Sequence, residues 1–386
     1  MNIDLPCSGA PRVSVIIVAN SNFDLLRACL RSVARFAPSA IPFETIVVLN
    51  EADVGTEAEL RAMVRGVQVA SSPVNLGFAG AGNRGRSLGR GEFLLLLHDD
   101  AEVESGWMEA LVQTADLYPE AGAVGGKVLH LDGRLQNAGM ILWRDAYTSP
   151  PWVGEAPPPT AFDRVRAVDY CGTSSLLVRA AAWDAVGGLE EKLYPVYYVD
   201  VDLSMALRKL GFVVYYQPAS RIRHHQGASG NPRFRAFANQ RNRQVFVEKW
   251  GTALDAHEPP MRQSPSGVER AIARAEAFAA QCRRKGPVAI APLATQEAFD
   301  PVLQERQHYE RSREFQKAYV AHLTYLLAEI EHDLPEFRAA LSRRNGLAAW
   351  AWFIRKRAKA KTRSISLGLK LGAPWREKRG EVGGSH

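Results

Sequence analysis

Residues Val13–Leu49 read VSVIIVANSNFDLLRACLRSVARFAPSAIPFETIVVL, and this stretch decides the fold class. Val13–Val18 and Glu44–Leu49 are short, branched, apolar runs, the pattern of parallel strands buried on both faces. Between them, Asp24–Phe36 sets Leu25, Leu26, Cys29, Leu30 and Val33 at helical spacing. The unit is β-α-β. It continues with a helix over Thr56–Val64, a strand over Val67–Ala70, a helix over Asn83–Leu88 and a strand over Phe93–Leu97. Such alternation predicts an α/β fold, a Rossmann-like, mostly parallel sheet flanked by helices. Ligands of such sheets lie at the carboxyl ends of the strands, where Ala19, Asn50 and the pair Asp99-Asp100 fall.

Further along the periodicity loosens. Val168–Val178 (VDYCGTSSLLV) is expected as one buried strand with a glycine break, Val213–Gln217 as another, and Asn239–Trp250 as a helix. From Pro259 the composition turns to Ala, Glu, Arg and Gln, predicting a helical extension over Val268–Arg284 and Pro301–Arg344, with Pro335 breaking the second helix. Three regions follow: a main domain over 1–258, a helical accessory region over 259–348 and a basic amphipathic tail over 349–386.

The chain has 386 residues, 46% hydrophobic and 23% charged, as expected of a globular protein. Its four cysteines (Cys7, Cys29, Cys171, Cys282) show no CxxC spacing, so neither a zinc knuckle nor a disulfide framework is expected and a reducing compartment is. Met1–Pro11 lacks the basic and apolar regions of a signal peptide, and no apolar run reaches the length of a membrane span. The net charge of +7 is uneven. Ten basic residues between Arg355 and Arg379 face only Glu377, leaving the remainder slightly acidic. Preceded by Ala349–Ile354 (AWAWFI), this tail reads as a segment lying on an anionic membrane surface. The rivals are nucleic-acid binding, which no accompanying module supports, and a solvated tail.

Two acidic clusters carry the chemistry. His98-Asp99-Asp100-Ala101-Glu102 closes the Phe93–Leu97 strand, where carboxylates can hold Mg2+ or Mn2+ through oxygen ligands and leave room for a diphosphate. The competing structural role for Asp100 is capping a helix over Ala101–Leu111. Tyr197-Tyr198-Val199-Asp200-Val201-Asp202-Leu203 supplies the second cluster. Displacement at an activated sugar needs a carboxylate to take the acceptor's proton. Asp202 is placed to N-cap a helix over Leu203–Leu210, so Asp200 is the better base. His224, ahead of His225-Gln226-Gly227-Ala228-Ser229-Gly230, can complete a metal site with Asp100, or be polar surface. Asn75-Leu76-Gly77-Phe78-Ala79-Gly80-Ala81-Gly82-Asn83-Arg84-Gly85 reads as a glycine-rich turn leading into a helix and suited to a phosphate or nucleotide, though it matches neither a Walker A loop nor GxGxxG.

Eight pieces in order carry a resemblance: VSVIIVANSNFDLLRACLRSV, IPFETIVVLN, NLGFAGAGNRG, GEFLLLLHDDAEV, DGRLQNAGMILWRD, VDYCGTSSLLVR, YYVDVDLSMALRKLGF and HHQGASG. From about Val13 to Trp250 the chain resembles the family 2 glycosyltransferases of GT-A fold, in particular the rhamnosyltransferase-like branch of bacterial surface-polysaccharide enzymes. The resemblance implies inverting, metal-dependent transfer from a nucleoside-diphosphate sugar, dTDP-rhamnose or a UDP-sugar, to a lipid-linked or oligosaccharide acceptor at the inner face of the plasma membrane. It implies Asp100 and His224 as metal ligands and Asp200 as base. Ala19, Asn50, Asn75, Asn83, Arg84 and Asp99 would line the nucleotide, with Cys171, Gly172, Thr173 and Asp202 near donor sugar and acceptor. His98, Val199, Leu49 and Val54-Gly55 depart from the family's usual residues. Those departures motivate a rival class, a non-catalytic nucleotide-sugar or glycan binding subunit. The helical region would serve oligomerisation or acceptor positioning.

Overall fold

The computed structural model describes residues 2–20, 22–52, 54–225, 231–286, 288–290 and 301–343. The proposed membrane-facing tail and Ser229 lie outside the described residues. The chain opens with β1 (Ile3–Asp4), β2 (Val13–Ala19), α1 (Phe23–Arg35), β3 (Phe43–Asn50), α2 (Val54–Met63), β4 (Val64–Arg65), β5 (Val67–Ser72) and α3 (Gly77–Leu88). Then come β6 (Phe93–His98), β7 (Ala101–Val103), α4 (Trp107–Leu117), β8 (Ala121–Leu129), β9 (Leu135–Asn137), β10 (Ile141–Leu142), β11 (Thr148–Ser149), β12 (Arg166–Val168) and β13 (Ser175–Arg179). The last are α5 (Ala180–Val186), α6 (Val199–Lys209), β14 (Val213–His224), α7 (Pro232–Trp250), α8 (Pro265–Lys285) and α9 (Pro301–Arg343).

The main sheet runs β12-β14-β8-β13-β6-β2-β3-β5, with β7 added on β14 and β9 on β8. β6, β2, β3 and β5 are mutually parallel, and β13 is inserted antiparallel between β6 and β8. Alternate residues of these strands feed two cores. Ile16, Ile46, Val48, Leu94 and Leu96 pack on one face with α3 and α6, while Val15, Ile17, Val47, Leu95 and Leu97 pack on the other with α1 and α4. A strand covered on both sides has no polar face, which is why the sequence shows unbroken apolar runs there.

Four expectations are corrected. The glycine-rich stretch is not a turn: α3 begins at Gly77 and takes in Gly80, Gly82 and Gly85. Their role is close packing, since a Cβ at Gly80 would strike the His308 ring, one at Gly82 would strike Leu189, and one at Gly85 would strike Ile16. Gly85→Ala should therefore destabilise the fold by about 1–3 kcal/mol through overpacking, more than the ~1 kcal/mol that helix propensity returns. A urea midpoint equal to or above wild type would refute this. Second, Val168–Val178 divides into β12, paired with β14, and β13, paired with β6 and β8, with Asp169–Ser174 crossing between them. Third, Asp100 caps nothing, because Ala101–Val103 is a strand and the following helix begins at Trp107. Fourth, α9 runs through Pro335 without a break.

β14 outruns its expected length and is irregular. Gln217 pairs with Gly126 and Arg221 with Lys127, so Pro218, Ala219 and Ser220 stand out of the ladder. Beyond this bulge β14 pairs antiparallel with β7, His224 opposite Ala101.

The chain divides into two compact units, Met1–Gln316 and Lys317–His386. α8 and the start of α9 belong to the first. Arg274 of α8 meets Asp169 at 2.6 Å, and in α9 His308 meets Glu191 at 3.0 Å. The second unit is described only over the remainder of α9. No helix among the described residues is long and apolar enough to cross a membrane.

Candidate active site

Strand register builds the centre of the site. β6 ends on His98, and the β7–β14 ladder, with the His225 amide donating to the Asp100 carbonyl at 3.0 Å, brings His224 to Asp100. His224 Nε2 lies 3.0 Å from Asp100 Oδ1. His98 Nδ1 lies 3.2 Å from His224 Nε2 and 3.8 Å from Asp100 Oδ1. One donor atom from each of the three residues falls within 4.8 Å of the others. Two imidazoles and a carboxylate are the donor chemistry of a divalent metal site, so the residues present fit the ion that the sequence implies.

The surroundings tune these groups. Burial, helped by the neighbouring His224, pushes His98 down to about 4, which leaves its ring neutral at physiological pH. Burial pushes the Asp100 carboxyl upward, but the hydrogen bond and charge of His224 outweigh it and hold the group below its ordinary value. Burial lifts neighbouring Asp99 to about 6, and its Oδ2 accepts from the Asn20 amide at 3.2 Å. Behind the histidines stand two orienting groups. Thr173 Oγ1 is 3.1 Å from His98 Nε2, and Gln136 Oε1 is 2.8 Å from His224 Nδ1.

Asp200 approaches Gly172, whose chain neighbour Thr173 meets His98 of this cluster. It sits in the first turn of α6, whose entry is forced by two left-handed residues, Tyr197 (φ 76°) and Tyr198 (φ 66°). Neither is glycine, so the entry is strained; the Tyr198 hydroxyl, donating to the Ala146 carbonyl at 2.8 Å, helps hold it. A Cβ on Gly172 would sit 3.8 Å from Asp200 Oδ2 and 3.6 Å from Asn137 Nδ2. Glycine there leaves the space between the Asp200 carboxylate and the Asn137 amide clear of a side chain. Burial pushes the Asp200 carboxyl up to about 6, against a hydrogen bond from the Val201 amide at 2.9 Å.

Other expected site residues have different employments. Asp202 does not cap a helix: α6 starts four residues earlier than expected, at Val199, and the Asp202 carboxylate is buried, accepting from Trp250 Nε1 at 2.6 Å and Lys249 Nζ at 2.9 Å. The Cys171 thiol turns into the sheet, packing on Gly125 and donating to the Tyr215 carbonyl at 3.7 Å, and burial pushes it up to about 12. Only its backbone faces Gly172. Asn83 spends its amide on Leu189 and Glu191, and Arg84 pairs with Glu305 of α9 at 3.0 Å. Asn50 and Asn75 interlock at 3.2 Å and pin the start of α3, with Asn50 Oδ1 accepting from the Leu76 amide at 2.7 Å. Ala19 ends β2 at the same sheet edge.

The sequence marks His98 only as a departure from the family's usual residue and assigns Gln136 and Asn137 no role. His98 had a readable signal, as the last residue of an apolar strand directly before two aspartates. Gln136 and Asn137 had none, because only the β8–β9 hairpin brings them to the site.

A two-faced, mostly parallel sheet with acidic and imidazole groups gathered at its strand ends is the architecture of a GT-A glycosyltransferase. The chain belongs to the family described as glycosyltransferase like family 2, which matches residues 11–247. The O-antigen biosynthesis protein RfbC of Myxococcus xanthus is 30% identical over 238 residues, 58% of this chain and 18% of its own length. An uncharacterised protein, y4gI, of Sinorhizobium fredii is also 30% identical, over 58% of this chain and 25% of its own. The chain thus spans a quarter or less of the length of these two relatives. The N-acetylglucosaminyl-diphospho-decaprenol L-rhamnosyltransferase of Mycobacterium tuberculosis is 26% identical over 53% of this chain and 75% of its own. Among solved structures, GalNAc-T7 with UDP, GalNAc and Mn2+ superposes with a TM-score of 0.51 at 15% identity, covering 64% of this chain and 49% of that one. That likeness concerns the fold alone.

Proposed function

We propose that the chain transfers a sugar from a nucleoside-diphosphate donor to a hydroxyl of a growing surface glycan, in one displacement that inverts the anomeric centre. The observation that carries this proposal is the Asp100–His224 pair together with a carboxylate close by in the fold: Asp200 lies beside Gly172, and the next residue, Thr173, meets His98 of the same cluster. Asp200 takes the acceptor hydroxyl's proton as that oxygen bonds to the anomeric carbon. The bond from that carbon to the diphosphate breaks on the opposite side, and the electron pair leaves with the nucleoside diphosphate. Asp202 is excluded from the base role because Lys249 and Trp250 occupy its carboxylate. With its carboxyl near 6, Asp200 is ionised at pH 7 yet more basic than an ordinary aspartate.

Asp100 and His224 would hold Mg2+ or Mn2+, which when bound supplies positive charge to offset the charge developing on the leaving diphosphate. Asn50 and Asn75 fix the loop at the sheet edge where the nucleoside would lie. The Mycobacterium relative, named for L-rhamnosyl transfer to N-acetylglucosaminyl-diphospho-decaprenol, supports a lipid-linked acceptor, and the Myxococcus relative's O-antigen role supports a surface glycan. The donor we assign is dTDP-rhamnose or a UDP-sugar.

A thermal-shift screen tests the donor. With Mn2+ present, one class among dTDP-, UDP- and GDP-sugars should raise the melting temperature, since ligand at 100 times its Kd adds about 2.7 kcal/mol. The same samples, given a polyprenyl-diphosphate glycan, should release nucleoside diphosphate. If no donor stabilises the protein and none is turned over, the proposal fails.

A further inference from the structure

The contacts around His98 and His224 limit where their protons can be. An amide oxygen only accepts, so Gln136 Oε1, 2.8 Å from His224 Nδ1, places the ring proton on that nitrogen. Gln136 is itself held by its Nε2, 3.3 Å from His130 Nδ1. In the neutral ring His224 Nε2 then bears a lone pair. On His98, Thr173 Oγ1 stands 3.1 Å from Nε2 and can accept its proton, leaving the lone pair on Nδ1. The two lone-pair nitrogens face each other at 3.2 Å, with Asp100 Oδ1 at 3.0 and 3.8 Å.

In the protonated ring Nε2–H donates to Asp100 Oδ1; once that proton gives way to a metal ion, His224 Nε2, His98 Nδ1 and Asp100 Oδ1 offer three convergent ligand atoms. Ion–ligand distances of about 2.1 Å put neighbouring ligand atoms about 3.0 Å apart in an octahedral shell and about 3.4 Å in a tetrahedral one. The three separations bracket those values.

We infer that His98 is a third protein ligand, oriented by Thr173, and that the resulting two-histidine, one-carboxylate set makes the site prefer a first-row transition ion such as Mn2+ over Mg2+. This rests on the proposed metal site at Asp100 and His224. Mg2+ demands hard oxygen donors and keeps its waters, and each imidazole in place of an oxygen lowers its relative affinity. Thr173 and Gln136 act from behind, by fixing which ring nitrogens are free.

The test uses the full chain, without nucleotide, titrated with Mn2+ and with Mg2+ by calorimetry. Electron spin echo modulation of bound Mn2+ then counts coupled ring nitrogens. Wild type should favour Mn2+ by at least about tenfold and show two nitrogens. His98→Asp should narrow that ratio by about tenfold and show one nitrogen. His98→Asn, which adds no charge, replaces it if the aspartate variant loses its cooperative unfolding transition. An unchanged ratio and two remaining nitrogens in the His98 variant would overturn the inference. Asp100→Asn separates this outcome from failure of the site itself. Loss of Mn2+ binding in Asp100→Asn beside an unchanged His98 variant refutes His98 alone, whereas undiminished binding in Asp100→Asn refutes the site.

Discussion

Asp200→Asn is expected to lose glycosyl transfer by about 10²–10⁴-fold and, at pH 8, to unfold at a higher temperature than wild type. The two effects have one cause. The Asp200 carboxyl is partly buried, and that burial raises it from its usual 3.8 to about 6. A carboxyl whose folded value lies above its unfolded value contributes most to stability when protonated, below about pH 3.8. That contribution is lost as pH rises through about 6. At pH 8 the ionised group costs the fold roughly 1–3 kcal/mol, which the neutral amide removes. Donor affinity should be unchanged, because the acceptor's proton is not involved in donor binding. In wild type the rate should fall on the acid side with a midpoint near pH 6. A variant turning over within threefold of wild type, or an acid limb below pH 5, would remove Asp200 from the base role.

The second large effect lies behind the site. Asp169 opens the crossing between β12 and β13, and its side chain is 2% exposed. It accepts from Arg274 at 2.6 Å and from the Leu142 amide at 2.9 Å, and pairs with Arg208 at 3.4 Å. Burial pushes its carboxyl up, but Arg274 and Arg208 outweigh this and hold it below the ordinary value. Asp169→Ala leaves two largely buried guanidinium groups without that counter-charge and a buried amide without its acceptor. Removing one partner of a buried pair costs about 3–5 kcal/mol, and that is the expected loss in urea unfolding at pH 7. The contribution is present above about pH 3.8 and is lost as pH falls through the lower folded value, so variant and wild type should converge in acid. A loss below about 1 kcal/mol would show that Arg274, still paired with Glu258 at 2.8 Å, needs no second acid. Because Asp169 anchors the segment leading to Gly172 and Thr173, the variant should also weaken donor-dependent stabilisation.

The parallel half of the fold was legible in residues 13–97, because strands buried on both faces must be apolar throughout and their helices must carry one apolar stripe. The approach of His224 to Asp100 was legible too, from their positions at the ends of such elements. The misreadings share a cause. VDYCGTSSLLV looks like one strand because burial, not pairing, sets its composition; the two halves are buried against different neighbours. The glycines of α3 look like a phosphate turn because glycine marks any close approach, and here what approaches is a side chain. Asp202 looks like a cap because the true start of α6 depends on two left-handed tyrosines, which no propensity favours. His98 reads as a departure from the family's usual Asp or Asn, because its partners Thr173 and His224 come from the crossing before β13 and from the end of β14.

The bulge at Pro218–Ser220 gives the site a dependence on parity. Past it, Ile222 and His224 point to one face of β14, while Arg221 and Arg223 point to the other, where both meet Glu104 at 3.1 and 3.0 Å. Side chains alternate with period two, so a strand one residue longer or shorter at the bulge would exchange the sets. An arginine would then stand beside Asp100, and the imidazole would face Glu104. Part of the site's specification is therefore an odd-or-even count, written in the spacing between two ladders and carried by no single side chain.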